Sequence, residues 1–317
     1  MLRAIPRRRS AASGQTALRL SAVLALLAAA LFAAAEPAAA RITTAQAIAT
    51  DPPADAKNPA RLEFIKVPSG GGFFYGRVFV AAGAGSHPTF VLFHGLPGQE
   101  QNMDLAQAVR RAGWTVVTLN YRGSWGSPGS YRFAGDLEDA ASILAYIRDP
   151  AIAAKLGIDP ARIAIGGHSL GGWVTAWTAA KDSGLLGAVM VSAADLGGAG
   201  QFAKVNRPAI VDFMNTSHDG LNDTDGERMT DELIAHPEWA FSALAPQLKD
   251  KRLLVLYGDD FVTANSVDLI KGVKAAGGAR LEVAHVATDH SWSDHRIALQ
   301  TLVIDWLQGL LSPGAKS

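Results

Sequence analysis

The stretch Arg162-Ile163-Ala164-Ile165-Gly166-Gly167-His168-Ser169-Leu170-Gly171-Gly172-Trp173 decides how the rest of the chain is read. Its first half is a short apolar run, as expected of a strand covered on both faces. Its second half opens a helical pattern over Leu170–Lys181. Between them, Gly167-His168-Ser169-Leu170-Gly171 fits G-x-S-x-G. A serine on so sharp a strand-to-helix turn sits in a strained backbone conformation and needs minimal neighbours, which Gly167, Gly171 and Gly172 provide. The pattern predicts a serine hydroxyl presented above the end of a central strand. The competing reading is an ordinary glycine-rich turn, and partner residues elsewhere in the chain decide between the two.

Outward from this point, apolar β-rich runs alternate with helical stretches. Strands are predicted at 62–67, 73–80, 89–94, 114–120, 162–167, 185–192, 252–257 and 281–286. The first two are joined by Ser69-Gly70-Gly71-Gly72, a hairpin-like turn. Helices are predicted at 100–112, 137–147, 170–181, 266–275 and 296–310. Such alternation argues for an α/β fold: a mostly parallel central sheet with helices on both faces. Residues 195–248 break the rhythm, with no convincing strand but with Phe202, Phe213, Met214, Met229, Trp239 and Phe241. Their aromatic content argues against disorder, so the segment is expected to be a helical lid insertion. Most of these side chains are expected only to pack the lid onto the body.

Of 317 residues, 49% are hydrophobic and 18% charged, ample for a buried core. Five arginines between Arg3 and Arg19, an apolar Leu20–Ala35 and Ala-x-Ala patterns before residue 41 have the layout of a signal peptide over residues 1–40. The competing reading is an uncleaved anchor. A cleaved leader predicts an exported protein, periplasmic or secreted, without stable membrane association. Removing its five arginines and Glu36 from 29 basic and 29 acidic residues leaves 24 and 28, a net charge of −4. That balance does not suggest a nucleic-acid partner. The absence of cysteine excludes disulfides, thiolate chemistry and cysteine-ligated metal. Residues 41–60 are expected to be a polar linker, and 61–317 the folded domain.

A serine hydroxyl is a poor nucleophile at neutral pH and needs a base within hydrogen-bond reach. Eight histidines are available. His290 directly follows the last predicted strand, where a loop can carry an imidazole over the sheet edge. His295 falls in the expected first turn of the last helix, after Ser293, and is the weaker candidate. The orienting acid should end the strand 252–257, where Gly258-Asp259-Asp260 offers two neighbouring carboxylates. Asp259 is the first choice, with Asp260 as the alternative. Stabilising a developing oxyanion requires two backbone N–H groups, expected from Leu170 and from the loop His94-Gly95-Leu96-Pro97-Gly98. Pro97 has no N–H, which leaves Leu96; His94 is expected to brace the loop. No metal or cofactor is called for.

Together these motifs resemble the α/β-hydrolase superfamily. Asn120-Tyr121-Arg122-Gly123-Ser124-Trp125-Gly126, Asp139 and Ile158-Asp159-Pro160-Ala161-Arg162 resemble more closely the catalytic domain of the prolyl oligopeptidase family, here without a propeller. The resemblance implies a Ser-Asp-His triad on Ser169, Asp259 and His290. The segment His94–Gly98 looks more like the oxyanion loop of small esterases. The expected activity is therefore hydrolysis of a small carboxylic ester or related acyl bond through an acyl-serine, without cofactor. The alternative is a serine aminopeptidase or amidase acting on short peptides, for which the lid's acidic residues from Asp212 to Glu232 could hold a substrate amine. A non-catalytic binding protein on the same fold is the remaining alternative.

Overall fold

The computed structural model describes Met1 and residues 42–312. The expected leader, residues 1–40, apart from Met1, lies outside the described residues. From Ile42 onward the chain builds an eight-stranded sheet of order β1-β2-β4-β3-β5-β6-β7-β8. Strands β1 (Arg61–Ser69) and β2 (Gly72–Val80) form an antiparallel hairpin. Its turn places Gly70 and Gly71 at φ 51° and 77°, a conformation that glycine adopts without a Cβ penalty. Strand β2 runs antiparallel to β4 (Thr115–Asn120). From β4 the ladder is parallel through β3 (His87–Phe93), β5 (Ile158–His168), β6 (Gly187–Val191), β7 (Leu253–Tyr257) and β8 (Leu281–His285).

Because side chains alternate across a strand, β3 sends Val91 and Phe93 into one apolar layer, and Phe90 and Leu92 into the other. On one face pack α1 (Thr44–Ala49), α2 (Met103–Arg111) and α11 (Arg296–Leu310). On the other lie α3 (Phe133–Arg148), α4 (Pro150–Leu156), α5 (Leu170–Lys181) and α10 (Thr263–Ala275). The insertion between β6 and β7 contributes α6 (Leu196–Ala203), α7 (Arg207–Asn215), α8 (Gly226–Ala235), a 3-10 turn and α9 (Phe241–Leu248).

Two elements differ from expectation. Residues 44–49, inside the expected linker, form helix α1, with Ala47 fully buried. Six residues are too few for a periodic pattern. The helix is defined instead by a capping box, in which the Thr43 hydroxyl accepts from the Gln46 amide while Gln46 bonds back to the Thr43 N–H. Helix α4 begins on a second cap. Asp149 accepts from the amides of Ala151 and Ile152 at 2.9 and 3.1 Å, and Pro150 opens the helix.

The aromatic residues of the insertion divide. Met214, Met229, Trp239 and Phe241 are buried, and Trp239 meets Trp173 of α5 edge to face at 5.0 Å. These four pack the insertion onto the body. Phe202 and Phe213 stay about half exposed. The segment 220–222 is laced to the loop after β4 by Trp125 N–H to the Gly220 carbonyl and Asn222 N–H to the Gly123 carbonyl, at 2.9 and 2.7 Å.

Candidate functional site

Strand β5 is central and buried, and at its carboxyl end the backbone turns sharply into α5. Ser169 occupies that turn at φ 57° and ψ −119°, a region that non-glycine residues rarely adopt. The turn is possible because its flanking residues lack side chains. A Cβ on Gly167 would come within 2.2 Å of the Gly171 carbonyl oxygen, and one on Gly171 within 2.2 Å of the Phe93 carbonyl oxygen. Strand β5, the elbow and β3 are therefore in backbone contact at the site. The Ser169 N–H donates to Val191 at 2.9 Å, and its carbonyl accepts from Ala194 at 3.1 Å.

The hydroxyl-bearing residue opens onto a cavity of about 430 Å³ that Ser169, Leu96, Leu170 and His290 line together. The remaining wall is mostly apolar: Leu196, Ile210, Phe213 and Met214 come from the insertion, Phe261 and Val262 from the loop after β7. A larger groove of about 650 Å³, between α3 and α8, contains neither Ser169 nor His290.

His290 is brought to this cavity by the loop between β8 and α11. Its Nδ1 lies 2.9 Å from Oδ2 of Asp260, a carboxylate only 2% exposed. Of the two neighbouring carboxylates, the structure brings the alternative, Asp260, and not the first choice, Asp259, to His290. Asp259 turns the other way and pairs with His285 at 2.7 Å, where both side chains are about half exposed. The reason is local. The Asp259 N–H is held by the Thr288 carbonyl at 3.0 Å, and Asp260 caps the turn that follows, accepting from the Val262 amide at 3.0 Å. Burial raises the pKa of Asp260. Hydrogen bonds from His290 and Ser192 and the charge of His290 outweigh that effect, leaving the carboxyl below its ordinary value. Ser192 is itself fixed by an N–H from buried Trp292 at 3.2 Å. His295 stands at the start of α11 and does not line the cavity.

Leu170 is the first residue of α5, so its amide is among the N-terminal donors without an intrahelical acceptor. The Leu96 amide has no backbone acceptor among the described residues. Its loop is braced by Trp125, whose indole N–H donates to the Pro97 carbonyl at 2.7 Å. His94 is buried, with Nδ1–H donating to the Gly95 carbonyl at 2.8 Å, and burial pushes its pKa down to about 4. The Asn120–Gly126 segment, which carries Trp125, is held by its own contacts. Arg122 lies against buried Asp139 at 2.6 Å, and the Asn120 amide donates to the Trp125 carbonyl at 2.8 Å.

Three further residues at the site were not singled out as functional from sequence. The Phe261 ring lies 4.5 Å from the His290 ring, although the residue is 69% exposed. Ser192 belongs to the surroundings of Asp260, and His168 touches the His290 loop. A sequence signal existed only for His168, which occupies the variable position of the elbow motif. Among the described residues no group of three His, Asp or Glu side chains is placed to hold a metal ion.

The carboxylates of the insertion are occupied or remote. Glu227 and Asp231 bridge Arg207, and Asp223 pairs with Arg228. Asp225 caps α8, and Glu232 accepts from the amides opening α3 at 2.9 and 3.0 Å. Asp212 and Asp219 are exposed, and none of the seven lines the cavity at Ser169. Asp195 does line it, but caps α6 by accepting from Gly198 and Phe241 at 3.0 and 3.2 Å.

A family model described as the alpha/beta hydrolase fold matches residues 88–229. No curated protein sequence matches the chain. Among solved structures, an acylaminoacyl peptidase from Pyrococcus horikoshii is similar at 17% identity and a TM-score of 0.60, covering 78% of this chain and 41% of its own. This chain thus spans about two fifths of that peptidase. An esterase from Pyrobaculum calidifontis is similar at 19% identity and a TM-score of 0.60, covering 80% and 88% of the two chains. A thermostable carboxylesterase cloned from a metagenomic library is similar at 20% identity and 0.58, covering 81% and 91%. What these likenesses have in common with the sheet order and the serine turn is the scaffold, and on that ground this protein has the α/β-hydrolase fold.

Proposed function

We propose that this protein is a serine hydrolase that cleaves carboxylic esters through an acyl-Ser169 intermediate. The observation that carries the reading is that one cavity is lined by a strained serine and by an imidazole anchored to a buried carboxylate. His290 removes the proton from the Ser169 hydroxyl as its oxygen attacks the carbonyl carbon. The amides of Leu96 and Leu170 stabilise the oxyanion, each worth about 2.7–4 kcal/mol by analogy with other such donors. Collapse expels the alcohol, which receives its proton from His290, and water repeats the sequence on the acyl-enzyme. Asp260 stays ionised and holds the imidazole tautomer that leaves Nε2 free to accept.

Ester cleavage is favoured over an aminopeptidase because of what lines the wall. An anchor for a substrate amine needs a carboxylate free to face the cavity, and Asp195 is engaged by the backbone amides of Gly198 and Phe241. The apolar side chains from α6 and α7 suit an aliphatic or aromatic acyl or alcohol group instead. The likeness to two esterases supports this reading, and the likeness to a peptidase supports the runner-up. The leader over residues 1–40 supports export to the periplasm or the medium.

Two measurements test the proposal together: turnover of p-nitrophenyl esters against aminoacyl p-nitroanilides, and labelling by a fluorophosphonate probe. Wild type should turn over the esters and take the label, while S169A should lose both, at least 1,000-fold in kcat. Faster turnover of the anilides would replace the ester reading with the peptidase one. Undiminished labelling of S169A would remove Ser169 as nucleophile, and no labelling of wild type would favour a binding protein.

A further inference from the structure

The residue before the nucleophile touches both of the loops that complete the site. His168 is 6% exposed and ends β5. Its Nε2 lies 2.7 Å from the backbone carbonyl oxygen of His290, and the two rings are 4.6 Å apart. A carbonyl oxygen only accepts, so Nε2 carries the proton and Nδ1 holds a lone pair. Nδ1 is buried without a hydrogen-bond partner. It faces the oxyanion loop: a Cβ built on Gly95 would stand 3.5 Å from it and 3.1 Å from the Cβ of Ser169. His168 thus sits against the Leu96 loop on one edge and the His290 loop on the other.

We propose that His168 is a positioning residue: its Nε2–H holds the backbone of His290 so that the imidazole meets Ser169. This rests on the Ser169–His290 reading above. The base loop leaves β8, an edge strand that pairs only with β7, and its other backbone anchors flank His290 at Thr288 and Ser291. Among the described residues the bond from His168 is the one made to the backbone of His290 itself. The nucleophile, by contrast, rides on the rigid end of β5. One side chain rooted in β5 therefore fixes the base relative to the nucleophile, where small displacements are costly in rate. Protonation of His168 would leave a buried Nδ1–H against Gly95 with no acceptor, so only the neutral ring fits. Burial accordingly holds its pKa down to about 4.

The test compares substitutions that keep or remove the donor at the Nε2 position. Gln carries an amide N–H at about that reach, Phe keeps the ring without a donor, and Asn places its amide where Nδ1 now faces Gly95. With a p-nitrophenyl ester, H168F should lower kcat about ten-fold, the worth of one neutral hydrogen bond, with KM within two-fold. H168Q should recover most of that loss, and active-site titration should stay stoichiometric in both. H168F within two-fold of wild type, or H168Q and H168F falling equally, would overturn the assignment. If H168F does not fold, H168N serves: a ten-fold loss supports the assignment, and activity equal to H168Q overturns it. Labelling of wild type and S169A in parallel separates the two levels. A failure there strikes the triad, whereas intact labelling with indifferent His168 variants strikes only this inference.

Discussion

Two imidazole–carboxylate pairs stand side by side at the carboxyl end of the sheet, their acids from the loop after β7 and their histidines from the end of β8 and the loop that follows it. His290–Asp260 spans 2.9 Å and His285–Asp259 spans 2.7 Å, so contact distance does not distinguish them. Burial does. The Asp260 side chain is 2% exposed and that of Asp259 is 62% exposed. A carboxylate fixed by Val262 and Ser192 in a water-poor site can hold an imidazole in one tautomer and stabilise its protonated form. A pair open to solvent is screened and mobile. Surroundings decide which pair can serve chemistry, and the composition of the pair does not.

Substituting the buried acid gives the largest effect. D260N keeps the shape but removes the charge and allows the wrong tautomer at His290. It should lower kcat on esters by about 10³–10⁴-fold, with labelling by a fluorophosphonate slowed in proportion. A loss below ten-fold would mean that Asp260 does not orient the base. Because the Asp260 pKa is depressed in the folded state, its ionised form also stabilises the fold above the ordinary carboxylate range. That contribution fades as pH falls toward the lowered value.

The serine turn with its elbow glycines and the parallel sheet were legible in the sequence because each rests on a local pattern. A glycine must flank a turn that strained, and a buried strand must read as an apolar run. The choice between Asp259 and Asp260 was not legible. The two are chemically identical neighbours just past β7, and the turn that Asp260 caps, with its side chain accepting from Val262 and its N–H held by the Thr263 hydroxyl, decides which faces inward. Helix α1 was missed because its stability comes from one capping box and from packing on α2 and α11. The cavity wall was hidden for a further reason. Leu196, Phe213 and Phe261 are distant in sequence and come together only when the insertion folds over the strand ends.

A second way to sharpen the contrast uses pH and stability rather than rate. His94 and His168 are buried outside any salt bridge among the described residues, and burial is the main cause that lowers both pKa values to about 4, against 6.5 for a free imidazole. Between those two values the unfolded chain binds protons that the folded chain does not. Stability therefore falls as pH drops from 6.5 toward 4, with a slope of about 1.4 kcal/mol per pH unit for each such group at its steepest. Below about pH 4 both states are protonated and the contribution is flat. Urea unfolding of wild type and H168Q from pH 7 to 4.5 should give curves that converge as pH falls, the variant lacking one group's share of the slope. Parallel curves would show that His168 titrates normally.

The smallest expected effect completes the comparison. D259N and H285Q disrupt a contact as short as the buried one, yet each should leave kcat and KM for esters within two-fold of wild type. A half-exposed pair trades its contact for water at little net change, typically 0–1 kcal/mol. It also lies outside the cavity, since neither residue lines the wall that Ser169 and His290 share. The one route by which Asp259 could reach the chemistry is its backbone: its N–H ties the β7 end to Thr288, two residues before His290. Substituting the side chain leaves that bond in place. A fall in kcat of ten-fold or more in D259N, with D260N affected no further, would reverse the two roles and make the exposed pair the working one.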